Sequence, residues 1–372
     1  MHQLLLLGAG KIGGAIAKLL AHCGDYDVLV GDIEQRALDR LTQSLGGLKL
    51  KTVKLDISDS AALRQAMEKV QTVVSACTFD ANVRIAEAAL ATGASYFDLT
   101  EDVATTKAIQ NFAVSAKDGQ IFMPQSGLAP GFICIAAYDL TRGFDKLDEV
   151  RMRVGALPQF PSNAMKYNLT WSTDGLINEY CNLCEAIHEG KKIDILPLEG
   201  LEHFSLDGMD YEAFNTSGGL GTLCDTLAGK VRTLDYKTVR YEGHRELMAF
   251  LVNSMRLSER RAILKDILEN AVPITLQDVV LIFCTVTGYR NGYLTQVTDA
   301  RKIYHKQMFG EHWSAIQITT ASAMCAVVDL HVAGKLPDRG FVRQEQVSLD
   351  AFLANRFGQH YVTDQVHDYK ST

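Results

Sequence analysis

The chain has 372 residues, 47% of them hydrophobic and 22% charged, with a net charge of −7. That length makes two domains the default and is enough to bury a sizeable core. The acidic balance argues against a nucleic-acid footprint, which is normally basic, and seven prolines without a low-complexity tract argue against long disordered stretches. The most apolar long segment, Ile316 to Val332, holds Gln317, Thr319, Thr320, Asp329 and His331, so no bilayer span and no membrane partner are expected. Met1 to Leu7 lacks a basic start and runs into glycines, unlike a secretion signal. Eight cysteines are too few for a disulfide scaffold, and Cys77, Cys134, Cys284 and Cys325 lie in apolar runs. A reduced, cytoplasmic setting is expected. Cys181 and Cys184 form one C-x-x-C on an expected helix, and the histidines show no ligand spacing, so no metal is expected.

The first third alternates. Strands are expected at 3–7, 27–32, 51–56, 72–77, 95–99 and 121–124. Helices fall between them, at 12–22, to about 45, at 58–69, 82–92 and to about 117. Strands alternating with helices of this length mean βαβ units and a parallel sheet. Six such strands with near-continuous apolar cores match a doubly wound α/β Rossmann fold covered on both faces. From about Asp148 the pattern changes to long strands at 149–157, 234–243 and 278–300. Asn291-Gly292 is a hairpin signal inside the last. Helices are expected at 175–189, 219–227, 245–255 and 259–269, giving a second α+β domain on a mostly antiparallel sheet. A long helix from about Trp313 precedes a polar tail.

Gly8-Ala9-Gly10-Lys11-Ile12-Gly13 is a G-x-G-x-x-G between the first strand and first helix, and Asp32 ends the second strand. That is the context a dinucleotide fingerprint needs. Gly8 permits the tight turn, Gly10 lets the backbone approach a pyrophosphate, and Gly13 lets the helix pack on the strand. The helix N-terminus around Lys11 and Ile12 offers amide donors to the phosphates. Asp32 would accept from ribose hydroxyls and repel a 2′-phosphate, favouring NAD over NADP. Arg36 opposes that preference. Asp56 and Ile57 fall where an adenine usually lies, and Ala76, Cys77 and Thr78 at the topological switch point.

Three further stretches are distinctive: GLAPGF (127–132), NTSGGLGTL (215–223) and YKTVRYEGH (236–244). With the fingerprint, they resemble the saccharopine dehydrogenase family, closest to its lysine 6-dehydrogenases, from about residue 3 to residue 335. The resemblance implies a Rossmann domain at 1–126, a substrate and dimerisation domain at 127–312, and a segment at 313–372 returning to the first domain. It places Gly127, Leu128 and Pro130 beside the nicotinamide. Ala129 stands where saccharopine reductases often carry Asp, which favours the lysine type. Thr100-Glu101-Asp102 departs from the lysine pattern and adds two carboxylates near the mouth. The implied activity is NAD-dependent oxidation of an amino-acid CH–NH or CH–NH₂ group, first of all the ε-amine of L-lysine. Saccharopine or a carboxylated polyamine is the alternative.

Amine oxidation needs a base, a held carboxylate and a facing nicotinamide. Asp98 ends the fifth strand on the ligand-binding edge, as an ammonium partner or as a buried acceptor. His244, at a strand-to-helix junction, has the pKa of a general base, or makes a structural hydrogen bond. Arg240 offers a bidentate fork to a carboxylate, or an ion pair on the strand, with Tyr241 beside it. Ser217 and Gly218 form an anion-binding or capping turn at an expected helix start. Tyr167, with Asn168 and Trp171, would wall the amine pocket or serve packing. A non-catalytic NAD-binding regulator is the competing class, against which Asp98, Arg240 and His244 argue. The long strands of the second domain have edges that a homodimer would cover.

Overall fold

The computed structural model describes residues 1–48 and 50–363. The N-terminal part alternates as its sequence suggests: β1 (His2–Leu7), α1 (Lys11–Cys23), β2 (Tyr26–Asp32), α2 (Gln35–Ser44), β3 (Lys51–Lys54), α3 (Ser60–Met67) and β4 (Thr72–Ser75). Then come α4 (Phe79–Thr92), β5 (Ser95–Asp98), α5 (Val103–Ala113), β6 (Ile121–Met123) and α6 (Phe132–Thr141). β1 shows why the sheet is buried on both faces. Successive strand residues point to opposite sides, and Leu4 and Leu6 join one apolar cluster while Leu5 and Leu7 join another.

The second part opens with β7 (Lys146–Pro158), α7 (Thr173–Cys181), β8 (Cys184–His188), β9 (Lys191–Ile195), β10 (Glu202–Leu206) and β11 (Met209–Asn215). It continues through α8 (Leu223–Leu227), β12 (Thr233–Tyr241), α9 (His244–Ala249), α10 (Arg261–Ala271), β13 (Asp278–Arg290), β14 (Tyr293–Tyr304), β15 (Lys306–Met308) and β16 (Glu311–Trp313). The main sheet runs β10-β11-β12-β7-β13-β14, antiparallel except for β12 on β7, with β8 and β9 at its side. Asn291 and Gly292 turn β13 into β14 with positive φ at both residues, as a two-residue hairpin requires.

Three helix expectations need correction. The helix expected at 175–189 ends at Cys181, and Cys184–His188 pair as a strand with β9. A short apolar run does not distinguish the two by periodicity. Cys181 and Cys184 therefore do not share a helix. The helix expected from Gly219 starts at Leu223, because Gly218 and Gly221 hold left-handed φ values of 88° and 53°. The helix expected at 245–255 relaxes into a π-turn over Phe250–Ser254.

The chain then returns. α11 (Ala315–Val332) is apolar all round and buried inside the protein, against α1 and β13. Asp278 caps it, accepting from the backbone nitrogens of Ala315 and Ile316. β17 (Gly340–Phe341) pairs with β6, completing a parallel sheet ordered β17-β6-β5-β4-β1-β2-β3, and α12 (Leu349–Ala354) follows.

Candidate active site

The glycines of the fingerprint divide their work as the spacing suggests. Gly8 has φ 97°, and a Cβ there would crowd the Ala76 carbonyl. A Cβ on Gly13 would overlap the Gly8 carbonyl, whereas a Cβ on Gly10 would meet nothing. The loop is tight against the protein on two sides and open on the third, where a pyrophosphate would lie. Asp32 accepts from Ala9 N at 2.6 Å and Glu34 N at 2.8 Å, which fixes its carboxylate at the end of β2 beside the loop. These residues fit a dinucleotide. Asp56 is solvent-exposed beyond β3 and accepts from Ser58 N, with Ile57 next to it. Lys11 faces a separate groove between α1 and α2, together with Lys18 and Arg40.

A cavity of about 230 Å³ opens at the carboxyl edge of the parallel sheet. The first domain contributes Ile12, Ala76, Cys77, Thr78, Leu99 and Glu101, and the Gly127–Pro130 turn that follows β6 adds to the wall. The second contributes Trp171, Asp174, Glu179, Tyr236, Thr238 and Arg240, and α11 closes the side with Ile316 and Thr320. Tyr236, Thr238 and Arg240 alternate along β12, so one strand face supplies all three. By the same alternation Tyr241 faces away and donates to Pro158 O in a different apolar cluster. The expectation that it binds substrate is corrected.

Arg240 is buried and holds no carboxylate among the described residues. Its Nε donates to Tyr180 Oη at 3.0 Å and its Nη1 to Val239 O at 2.9 Å, and the guanidinium carbon lies 4.8 Å from the Tyr167 ring centroid. Tyr167 therefore acts beneath Arg240 and outside the cavity wall. Glu179 is buried with no side-chain hydrogen bond among the described residues. Burial pushes its carboxyl up to about 8, Arg240 pulls it down, and Glu101 adds to the rise. Burial also raises Glu101, which accepts from Asn178 Nδ2 at 3.3 Å. Asp174 is paired with Lys265.

Both residues expected to be catalytic lie elsewhere. Asp98 is fully buried and outside the cavity. Its carboxylate accepts from Thr100 N, Gln125 N and Tyr96 Oη, tying β5 to the end of β6, and burial raises its pKa to about 6. His244 is buried behind Tyr180. Its Nδ1–H donates to Met165 O at 2.9 Å, which leaves Nε2 to accept from Tyr180 Oη at 3.0 Å. Burial, with help from Arg240, lowers its pKa to about 3, so it stays neutral and is a poor proton acceptor. A chain of bonds results, from Arg240 through Tyr180 and His244 to Met165. Ser217 Oγ donates to Asn178 O, and Gly218 packs on Glu101, so that turn spends its groups internally and does not open the expected helix. Asp102, expected near the mouth, caps α5 through Thr105 N.

Glu179 carried no signal in the sequence. It sits in the last turn of α7, where only the meeting of that helix with β12, through Tyr180 and Arg240, brings it to the cavity. Glu101 had one, a carboxylate just past the fifth strand.

Comparison with known proteins matches the saccharopine dehydrogenase NADP binding domain to residues 4–123 and the saccharopine dehydrogenase C-terminal domain to residues 127–359. Saccharopine dehydrogenase (NADP(+), L-glutamate-forming) of Schizosaccharomyces pombe is 22% identical over 270 residues, covering 70% of this chain and 59% of that protein. This chain thus spans less than two thirds of that relative. The apo saccharopine dehydrogenase (L-Glu forming) from Saccharomyces cerevisiae has the same fold, with a TM-score of 0.76 at 16% identity over 97% of this chain and 96% of that one.

Proposed function

The chain belongs to the saccharopine dehydrogenase family, and we propose on that premise that it is a nicotinamide-dependent oxidoreductase acting on an amino-acid C–N bond, with the ε-amine of L-lysine as its first substrate. The charge of the cavity wall carries the reading. Arg240 is its one cationic side chain among the described residues, and Glu101 and Glu179 are its two carboxyls without an ion pair. One guanidinium and two carboxyls suit a substrate with one carboxylate and a distal amine. Saccharopine would bring three carboxylates to a single guanidinium.

Bound at the glycine loop and the Gly127–Pro130 turn, the coenzyme would supply the hydride acceptor. The protein's part is binding and proton handling. Arg240 holds the substrate carboxylate, free to do so because no carboxylate among the described residues is bonded to it. Glu179, which lines the same cavity and whose pKa burial raises to about 8, takes a proton from the ammonium, since only the neutral amine can release hydride from its carbon. Glu101 adds negative charge that draws the ammonium inward. Leu99, Trp171, Tyr236 and Ile316 line the remaining wall with apolar surface that excludes water.

For the coenzyme, Asp32 favours NAD, whereas the matching domain and the fission-yeast relative carry NADP in their names. The test is a panel of L-lysine, saccharopine and a carboxylated polyamine with each coenzyme, followed by nicotinamide absorbance. L-lysine with NAD is the expected pair. Turnover of saccharopine alone would move the substrate to the family's other branch, and dinucleotide binding without turnover of any amine would leave a regulator.

A further inference from the structure

Four polar side chains converge just outside the cavity. They are Gln125 after β6, Thr222 before α8, and Gln344 and Glu345 after β17, and each is at most 5% exposed. Thr222 Oγ1 lies 2.8 Å from Glu345 Oε2 and 3.2 Å from Gln344 Oε1, and has one proton to give. The Gln344 amide nitrogen is spent on Pro124 O at 2.7 Å and Gln125 O at 3.3 Å. Gln125 Oε1 and Glu345 Oε1 are buried with no hydrogen-bond partner among the described residues. A Cβ on Gly221 would stand 3.2 Å from Gln344 Oε1, 3.3 Å from Cys134 Sγ and 3.4 Å from Gln125 Oε1, so the two amide oxygens and a thiol face one point.

Acceptors here outnumber protons, and one of them belongs to a carboxylate with no Lys or Arg partner among the described residues. A buried carboxylate needs a counter-charge. A water would satisfy the two orphan oxygens and leave the charge uncompensated. We propose that Gln125, Thr222, Gln344 and Glu345 bind a monovalent inorganic cation, sodium or potassium. One carboxylate and several neutral oxygens match a single positive charge and the oxygen preference of hard cations. The ion joins three parts of the chain: the residue two before the Gly127–Pro130 turn, the Gly221 turn of the second domain, and the returning segment.

The experiment compares thermal midpoints of the full chain in sodium, potassium and choline chloride at equal ionic strength. A higher midpoint in sodium or potassium than in choline is expected. Glu345→Gln, which keeps the shape and removes the charge, and Gln125→Leu should abolish that difference while both proteins stay folded by circular dichroism. Equal midpoints in all three salts overturn the proposal. So does a salt response kept in full by both variants, which places the ion elsewhere. In crystals, a Gln125 amide nitrogen turned into the gap, or a water with no cation-length contacts, overturns it as well.

Discussion

Glu179 combines two demands that conflict. A carboxyl that titrates near 8 is matched to accept a proton at neutral to alkaline pH, and burial is what puts it there. Its base form is lost as pH falls, so amine oxidation should decline below about 8. Glu179→Gln should lower kcat by about 10²–10⁴-fold and remove that acidic limb, checked by a pH profile of kcat. The same shift costs stability. The native carboxyl keeps its proton between its ordinary pKa near 4.5 and about 8, while the unfolded chain has already released it, so native stability falls as pH rises through that window. The thermal midpoint of Glu179→Gln should therefore exceed that of the parent by a margin growing with pH. A margin that stays flat would mean that burial does not set the pKa.

His244 shows the opposite arrangement. Its ring is locked between Met165 O and Tyr180 Oη and stays neutral, so it acts on substrate only through Tyr180 and Arg240. His244→Leu strands the Tyr180 hydroxyl and loosens the guanidinium. KM for an amino-acid substrate should rise about 10-fold with kcat within a few-fold, and the acidic limb should stay where it is. His244→Gln, which can still accept from Tyr180, should recover part of the loss. An acidic limb that moves in His244→Leu would make the histidine the proton carrier after all.

Along the elements, the glycine loop separates binding from folding. Gly10 has open space around it, so Gly10→Ala should fold with an unchanged thermal midpoint and lose dinucleotide affinity, measured by calorimetry. Gly13→Ala puts its methyl on the Gly8 carbonyl and should lose both affinity and stability. Unaltered affinity in Gly10→Ala would remove the loop from the cofactor site. The loop was legible in the sequence because its requirements are local: a strand end, three glycines and a helix start lie within a few residues. Arg240 was legible as a fork for a carboxylate, but the same reading took its neighbour Tyr241 with it, and strand alternation turns that ring to the other face. Glu179 was not, because its role exists only where α7 meets β12. His244 misled because a histidine at a junction looks alike whether it is exposed or sealed behind Tyr180. The turn at Ser217 and Gly218 misled because its glycines serve close packing on Glu101 and Tyr236 rather than an anion.

For the molecule as a whole, the returning segment from Ala315 onward completes the first part of the chain. Cys325 of α11 lies against Ile16 of α1, Tyr26 Oη donates to Asp329 at 2.6 Å, and the rings of Phe97 and His331 sit 5.7 Å apart. β17 adds its strand to β6, and Arg356 pairs with Asp25 and Asp329. Leu4, Leu6, Ile16 and Leu20 belong to the same apolar cluster as Met324, Cys325 and Val328, so a fragment ending at residue 126 would expose that face to water. Residues 1–126 alone should lack a cooperative thermal transition, and the exposed face should drive aggregation. Joining 1–126 to 313–363 through a flexible glycine–serine linker should restore both the transition and dinucleotide binding, followed by near-UV circular dichroism and calorimetry. The returning segment also carries Ile316 and Thr320 into the cavity wall, and the fused fragment lacks Arg240 and Glu179. It should therefore bind coenzyme and turn over no amine. A cooperative, coenzyme-binding 1–126 fragment would show that the return serves the active-site cavity and not the first domain's core.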